Sequence, residues 1–127
     1  MPVEGATQAP IIKQMHELSI VESLLTVVIE NAERAQATKV LKINVVVGDL
    51  SGVVDDSVIF YFNFLSEKTI AAGARIVFTH TPARLRCRAC NIIFSPEKLD
   101  FHCPTCKEQQ VDVIGGRELY VDSLEVE

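Results

Sequence analysis

Nowhere in these 127 residues is there an apolar run close to the roughly 20 residues that span a bilayer, so no transmembrane helix is expected. Positive charge is also in short supply, with 12 Lys and Arg against 17 Asp and Glu and a net charge of −5. Binding to a phosphate backbone begins with clustered Lys and Arg, and this balance argues against a general nucleic-acid binder. There is no tryptophan, and aromatics make up only 6%, which leaves few platforms for stacking bases. No glycine-rich loop cradles a phosphate, and no serine sits in a His–Asp context that would make it a nucleophile. Residues 1–14 have neither the basic start nor the apolar stretch of a secretory signal. A reducing, cytoplasmic setting and a non-catalytic role are the expectations.

Cysteine is scarce as well, but its placement is informative. Cys87, Cys90, Cys103 and Cys106 form two Cys-x-x-Cys pairs on either side of a short loop. Each pair can set two thiolates on one side of a tight turn, and two facing turns give the tetrahedral sulfur cage that zinc prefers. All four ligands would come from the protein, so this zinc is structural and has no open position for chemistry. The lobe from 83 to 111 has few large apolar residues and cannot fold on burial alone. Structural zinc supplies on the order of 10 kcal/mol in small fingers, enough to hold it.

The remainder reads as one core, supported by a hydrophobic content of 48%. Residues 1–14 are expected to be a flexible extension. From Met15, the series Leu18, Val21, Leu25, Val28, Ala32 and Ala35 marks one buried stripe of an amphipathic helix ending near Ala37. Leu41, Ile43, Val45 and Val47 alternate with Lys42 and Asn44, which predicts a strand over Lys39–Val47 with one face buried. Asp55, Asp56 and Ser57 are N-cap candidates for a buried helix from Val58 to Lys68, with Phe60, Phe62 and Phe64 in the core. Strands are expected at Arg75–Thr81 and Leu119–Val126. The last needs a sheet to join, which makes the zinc lobe an excursion between strands. The expected fold is α+β: two helices on a small mixed three-stranded sheet, with a zinc-ribbon lobe inserted before the last strand. The domains would be 15–82 with 112–127, and the zinc ribbon 83–111.

His16, in Met15-His16-Glu17-Leu18-Ser19-Ile20, opens the first helix. It can be read as a solvated residue near a cap. It can also be a ligand, because the first N–H groups of a helix have no intrahelical acceptor. Were Met15 the first residue, its amine, the His16 amide and the His16 imidazole could reach one ion. Planar nitrogen sites suit Ni(II) or Cu(II). His80 reads as a hydrogen-bonded packing residue.

Met-His-Glu-Leu-Ser-Ile, then Val47-Gly48-Asp49-Leu50-Ser51, the paired Cys-x-x-Cys and the closing Ser123-Leu124-Glu125-Val126-Glu127 together resemble the hydrogenase-maturation nickel metallochaperones of the HypA/HybF family. The resemblance runs from Met15 to Glu127. It implies delivery of Ni(II) to nickel–iron hydrogenase large-subunit precursors, together with a nickel-related GTPase accessory protein. It puts nickel at the Met15 nitrogen and His16, with Glu17 adjacent, and structural zinc at the four cysteines. Asp55 or Asp56, and His102 beside Cys103, are weaker nickel-associated candidates. One departure is that fourteen residues precede Met15, so its nitrogen is a peptide nitrogen while they are present. The alternative reading is a zinc-ribbon nucleic-acid or transcription module, supported by Arg84, Arg86 and Arg88. A dithiol oxidoreductase is disfavoured by the symmetric pairing of the two motifs.

Overall fold

A computed structural model describes residues 13–96 and 100–127, with side chains from Glu17 onward within the first helix. Helix α1 spans Lys13–Arg34, strand β1 Val40–Gly48, helix α2 Asp55–Leu65 and strand β2 Arg75–Thr81. Three shorter strands follow, β3 Arg84–Cys87, β4 Ile93–Phe94 and β5 Val111–Gly115, before the long final strand β6 Leu119–Val126. The first sheet has the order β2-β1-β6, with β1 parallel to β2 and antiparallel to β6. It is the mixed three-stranded sheet expected, with both helices packed into its core and the sulfur lobe inserted before β6.

The core follows from the helical and strand periods. Ile20, Val21, Leu24, Val28 and Ala32 of α1 meet Val58 and Phe62 of α2 over Ile43, Val45 and Val47 of β1. The buried stripe of α1 is rotated from the expected one. Glu17, Ile20 and Leu24 are buried, whereas Leu18 and Leu25 are half-buried and Ala35 is exposed. The helix also begins at Lys13, so Lys13 and Gln14 belong to it; the rest of the expected extension, residues 1–12, lies outside the described residues. In β1 the register shifts between Val40 and Lys42, which turns Val40 inward and leaves Leu41 exposed.

Helix α2 departs most from expectation. It starts at Asp55 and ends at Leu65, and its cap is Val54, which makes no side-chain cap bond. Asp55 and Asp56 therefore occupy the first turn, where the helix dipole favours negative charge. Phe62 is 3% exposed, but Phe60 and Phe64 are 68% and 69% exposed. Only one face of the helix reaches the core, and these two rings lie one turn apart on another.

The second sheet, order β4-β3-β5, builds the sulfur lobe. It extends to Gly115, past the boundary expected at Val111, because β5 pairs with β3 rather than with β1. The two sheets meet where backbones come very close. A Cβ on Gly48 would stand 2.1 Å from the Gly116 carbonyl oxygen, so only glycine fits. Gly48 N–H donates to Glu118 O, Leu50 N–H to Gly116 O, and Asp49 N–H to Thr81 O. The Glu118 carboxylate accepts from Thr81 Oγ1 and from the Gly116 N–H, binding both chain crossings together.

Candidate metal centres

The two Cys-x-x-Cys turns are built alike. Asn91 N–H donates to Cys87 O and Cys87 N–H to Ile92 O; at the same offsets, Lys107 N–H donates to Cys103 O and Cys103 N–H to Glu108 O. Asn91 and Lys107 both adopt the left-handed backbone, with φ of 64° and 65°, which curls each turn back on its first cysteine. Four sulfurs are thereby gathered within 4.8 Å of one another. Cys87 and Cys106 are 3.5 Å apart and Cys90 and Cys103 3.6 Å. Sulfurs at tetrahedral zinc lie about 3.8 Å apart, given Zn–S bonds of about 2.3 Å. The donor set and its spacing fit one zinc ion.

The thiols differ in acidity. Amide donors, Cys106 N–H foremost and Thr105 N–H after it, draw Cys103 down to about 6. At Cys106 the Glu108 amide acts in the same direction, but the Cys87 thiol, burial and the other two thiols outweigh it and push the group up to about 12. Cys90 is raised too: the Ile92 amide lowers it, but burial with Cys103 and Cys87 prevails. A cation at the centre inverts this, because a coordinated thiol loses its proton outright.

The second cluster lies at the carboxyl ends of β1 and β2, the end of the main sheet at which the sulfur lobe joins. Glu17, 6% exposed, reaches from α1 to the start of α2, where its Oε2 accepts the Val54 N–H at 3.4 Å. Asp55 follows Val54, and its Oδ2 is 2.8 Å from Nε2 of His80, near the end of β2. Asp49, in the turn after β1, faces the other ring nitrogen, Nδ1, at 3.7 Å. Asp55 Oδ1 is buried and has no hydrogen-bond partner among the described residues. Of the two aspartates the sequence left open, Asp55 is drawn into this cluster and Asp56 is exposed. Met15 and His16 lie on the first turn of α1 beside Glu17, and their side chains fall outside the described residues.

His102 is elsewhere. Its Nδ1 bonds Asp100 and its Nε2 bonds Gln109, both in the sulfur lobe. His80 and Asp49 are the residues that sequence reasoning missed. His80 is hydrogen-bonded as expected, but to a carboxylate at a half-exposed site. The available signal was topological: β1 and β2 are parallel, and polar sites gather at the carboxyl ends of parallel strands.

A family model described as hydrogenase/urease nickel incorporation, metallochaperone, HypA, matches residues 15–126. The chain belongs to the HypA family. It is 43% identical over 113 residues to the hydrogenase maturation factor HypA of Dehalococcoides mccartyi, a match covering 89% of this chain and 95% of that one. It is 41% identical over 114 residues to the factor of the same name from Caldanaerobacter subterraneus, covering 89% of this chain and all of the other, 100%. The solution structure of the Ni metallochaperone HypA from Helicobacter pylori superposes with a TM-score of 0.62 at 27% identity, over 87% of this chain and 96% of that one. A second HypA solution structure gives 0.67 at 29%, over 88% and 96%. The HypA fold, two helices on a mixed sheet with a four-cysteine lobe, is the fold described above. Among the described residues no helix is long and apolar enough to cross a membrane.

Proposed function

We propose that this chain carries Ni(II) to nickel–iron hydrogenase large-subunit precursors in the cytoplasm, handing it on with a nickel-related GTPase, and that it catalyses no reaction itself. Family membership supports a maturation role. Residues 15–82 with the closing strand form the nickel-carrying part, and the cysteine lobe is its zinc-held companion. Nickel is gripped at the start of α1 by His16 and the Met15 nitrogen, with Glu17 and Asp55 alongside. The observation that carries this reading is the Glu17–Val54 bond, which brings the opening of α1 against the helix that presents Asp55.

A carrier must hold its ion firmly and release it. A site at a helix opening, with nitrogen donors that suit Ni(II), meets both needs better than a sulfur cage. Binding requires donors to lose protons, so uptake weakens as the pH falls. Calorimetric titration of Ni(II) into the zinc-loaded chain tests the reading. His16→Ala should lower affinity by about 100-fold or more, with zinc content and helicity unchanged. Undiminished affinity would overturn it.

The nucleic-acid reading loses footing at Arg88, whose guanidinium is held by Asp112 at 2.8 Å.

A further inference from the structure

Asp49, His80 and Asp55 come from three elements, the turn after β1, the end of β2 and the first turn of α2, and converge on one imidazole. A neutral imidazole offers one N–H and one lone pair. With a carboxylate at each nitrogen, a neutral ring turns its lone pair to one of the acids, and either a second proton or a cation relieves that contact. Asp55 Oδ1 adds a second unmet demand, being buried without a hydrogen-bond partner among the described residues.

A divalent cation meets the first of these, at the Asp55 oxygen that faces the ring. It takes the Nε2 lone pair and an Asp55 oxygen, and it leaves the ring proton on Nδ1, directed at Asp49. An outer carboxylate that fixes the tautomer and orientation of a metal-bound histidine is a recurrent design. The spacing suits it: two donors about 2.1 Å from one ion and at right angles lie about 3 Å apart, against 2.8 Å between Nε2 and Oδ2. Side-chain exposures of 47% for His80 and 33% for Asp55 let an ion enter from solvent. Mixed imidazole and carboxylate donors suit nickel, whereas carboxylates alone would suit magnesium or calcium.

We propose that His80 Nε2 joins the Asp55 carboxylate as a further ligand of the carried nickel ion, with Asp49 orienting the ring. The site then has an internal half, built by strand and helix ends, facing the half supplied by Met15 and His16. This rests on the nickel reading above. It gives the site an imidazole whose availability does not depend on the state of the Met15 nitrogen.

The test uses the full zinc-loaded chain with 15N-labelled histidine rings and Ni(II) alone as the probe. One equivalent of nickel should shift or erase the His80 ring signals. His80→Ala and His80→Gln should each weaken nickel binding about tenfold or more, and Asp49→Asn severalfold, with circular dichroism and zinc content unchanged. Glutamine still donates an N–H to Asp55, so a ring that merely positions Asp55 would be rescued by it. Rescue by glutamine, wild-type affinity in both His80 variants, or an unmoved His80 signal overturns the proposal. His16→Ala separates the two readings. If it abolishes uptake while the His80 variants bind normally, the internal half fails and the carrier reading stands. If it binds normally while the His80 variants do not, the terminal half fails and the internal half stands.

Discussion

The carboxylate of Glu17 accepts the backbone N–H of Val54, 3.4 Å away, and so caps a helix to which it does not belong. Helix α2 has no cap of its own, since Val54 carries no side-chain acceptor. Glu17→Ala leaves that N–H without its acceptor and should cost about 1–2 kcal/mol. Glu17→Gln keeps a carbonyl oxygen there and should cost about half as much. Urea unfolding followed by circular dichroism gives both values.

Gly48 faces the Gly116 carbonyl too closely for any side chain. Gly48→Ala has to push backbone away from backbone, and overpacking of this kind costs about 3 kcal/mol. A lowered thermal midpoint is the readout, accompanied by loss of amide protection at Leu50, whose N–H bonds Gly116.

The three α2 phenylalanines should separate cleanly. Phe62→Ala empties a buried core position and should cost about 3–4 kcal/mol. Phe60→Ser and Phe64→Ser should each change stability by no more than about 0.5 kcal/mol, because both rings already stand mostly in water. Denaturant midpoints decide it.

Glu118 supplies a pH dependence of known sign. The Thr81 hydroxyl, and after it the Gly116, Arg117 and Glu118 amides, hold its carboxyl below the ordinary value despite some burial. A carboxyl lowered in the folded state contributes stability above its unfolded value of about 4.3, and that contribution is lost as the pH falls through the folded value. Glu118→Gln should therefore be less stable than the parent at pH 7, and the gap should narrow as the pH falls below about 4.3. Paired unfolding curves at the two pH values test this.

Removing zinc should melt the lobe and spare the main sheet. Cys103→Ser, or strong chelation of the parent, should bring zinc from one equivalent to none and open residues 83–115 to protease. Helical dichroism should persist, since both helices pack on the first sheet.

What could be read beforehand depended on how local the determinant was. The four cysteines were legible because their spacing alone fixes the turn. The strand at 75–81 was legible because its flanks, Gly73 and Pro82, are strong punctuation. Leu41 and Val40 exchanged places because a bulge breaks the alternation that pointed to Leu41. Phe60 and Phe64 read as core on hydrophobicity, yet a single sheet face under two helices has room for one side of α2. His80 was the hardest to read. Its partners Asp49 and Asp55 are distant in sequence and meet it only once β1 and β2 lie parallel.

The stapling of both crossings by Glu118 also makes the sulfur lobe a cassette. The chain leaves the main sheet at Thr81 and re-enters at Leu119, on strands that flank β1. Two strand spacings separate exit from return, about 10 Å, a gap that three or four extended residues can bridge. A shortened protein with such a bridge retains every strand pairing of the larger sheet, and foreign ribbons can be spliced in at the same seam.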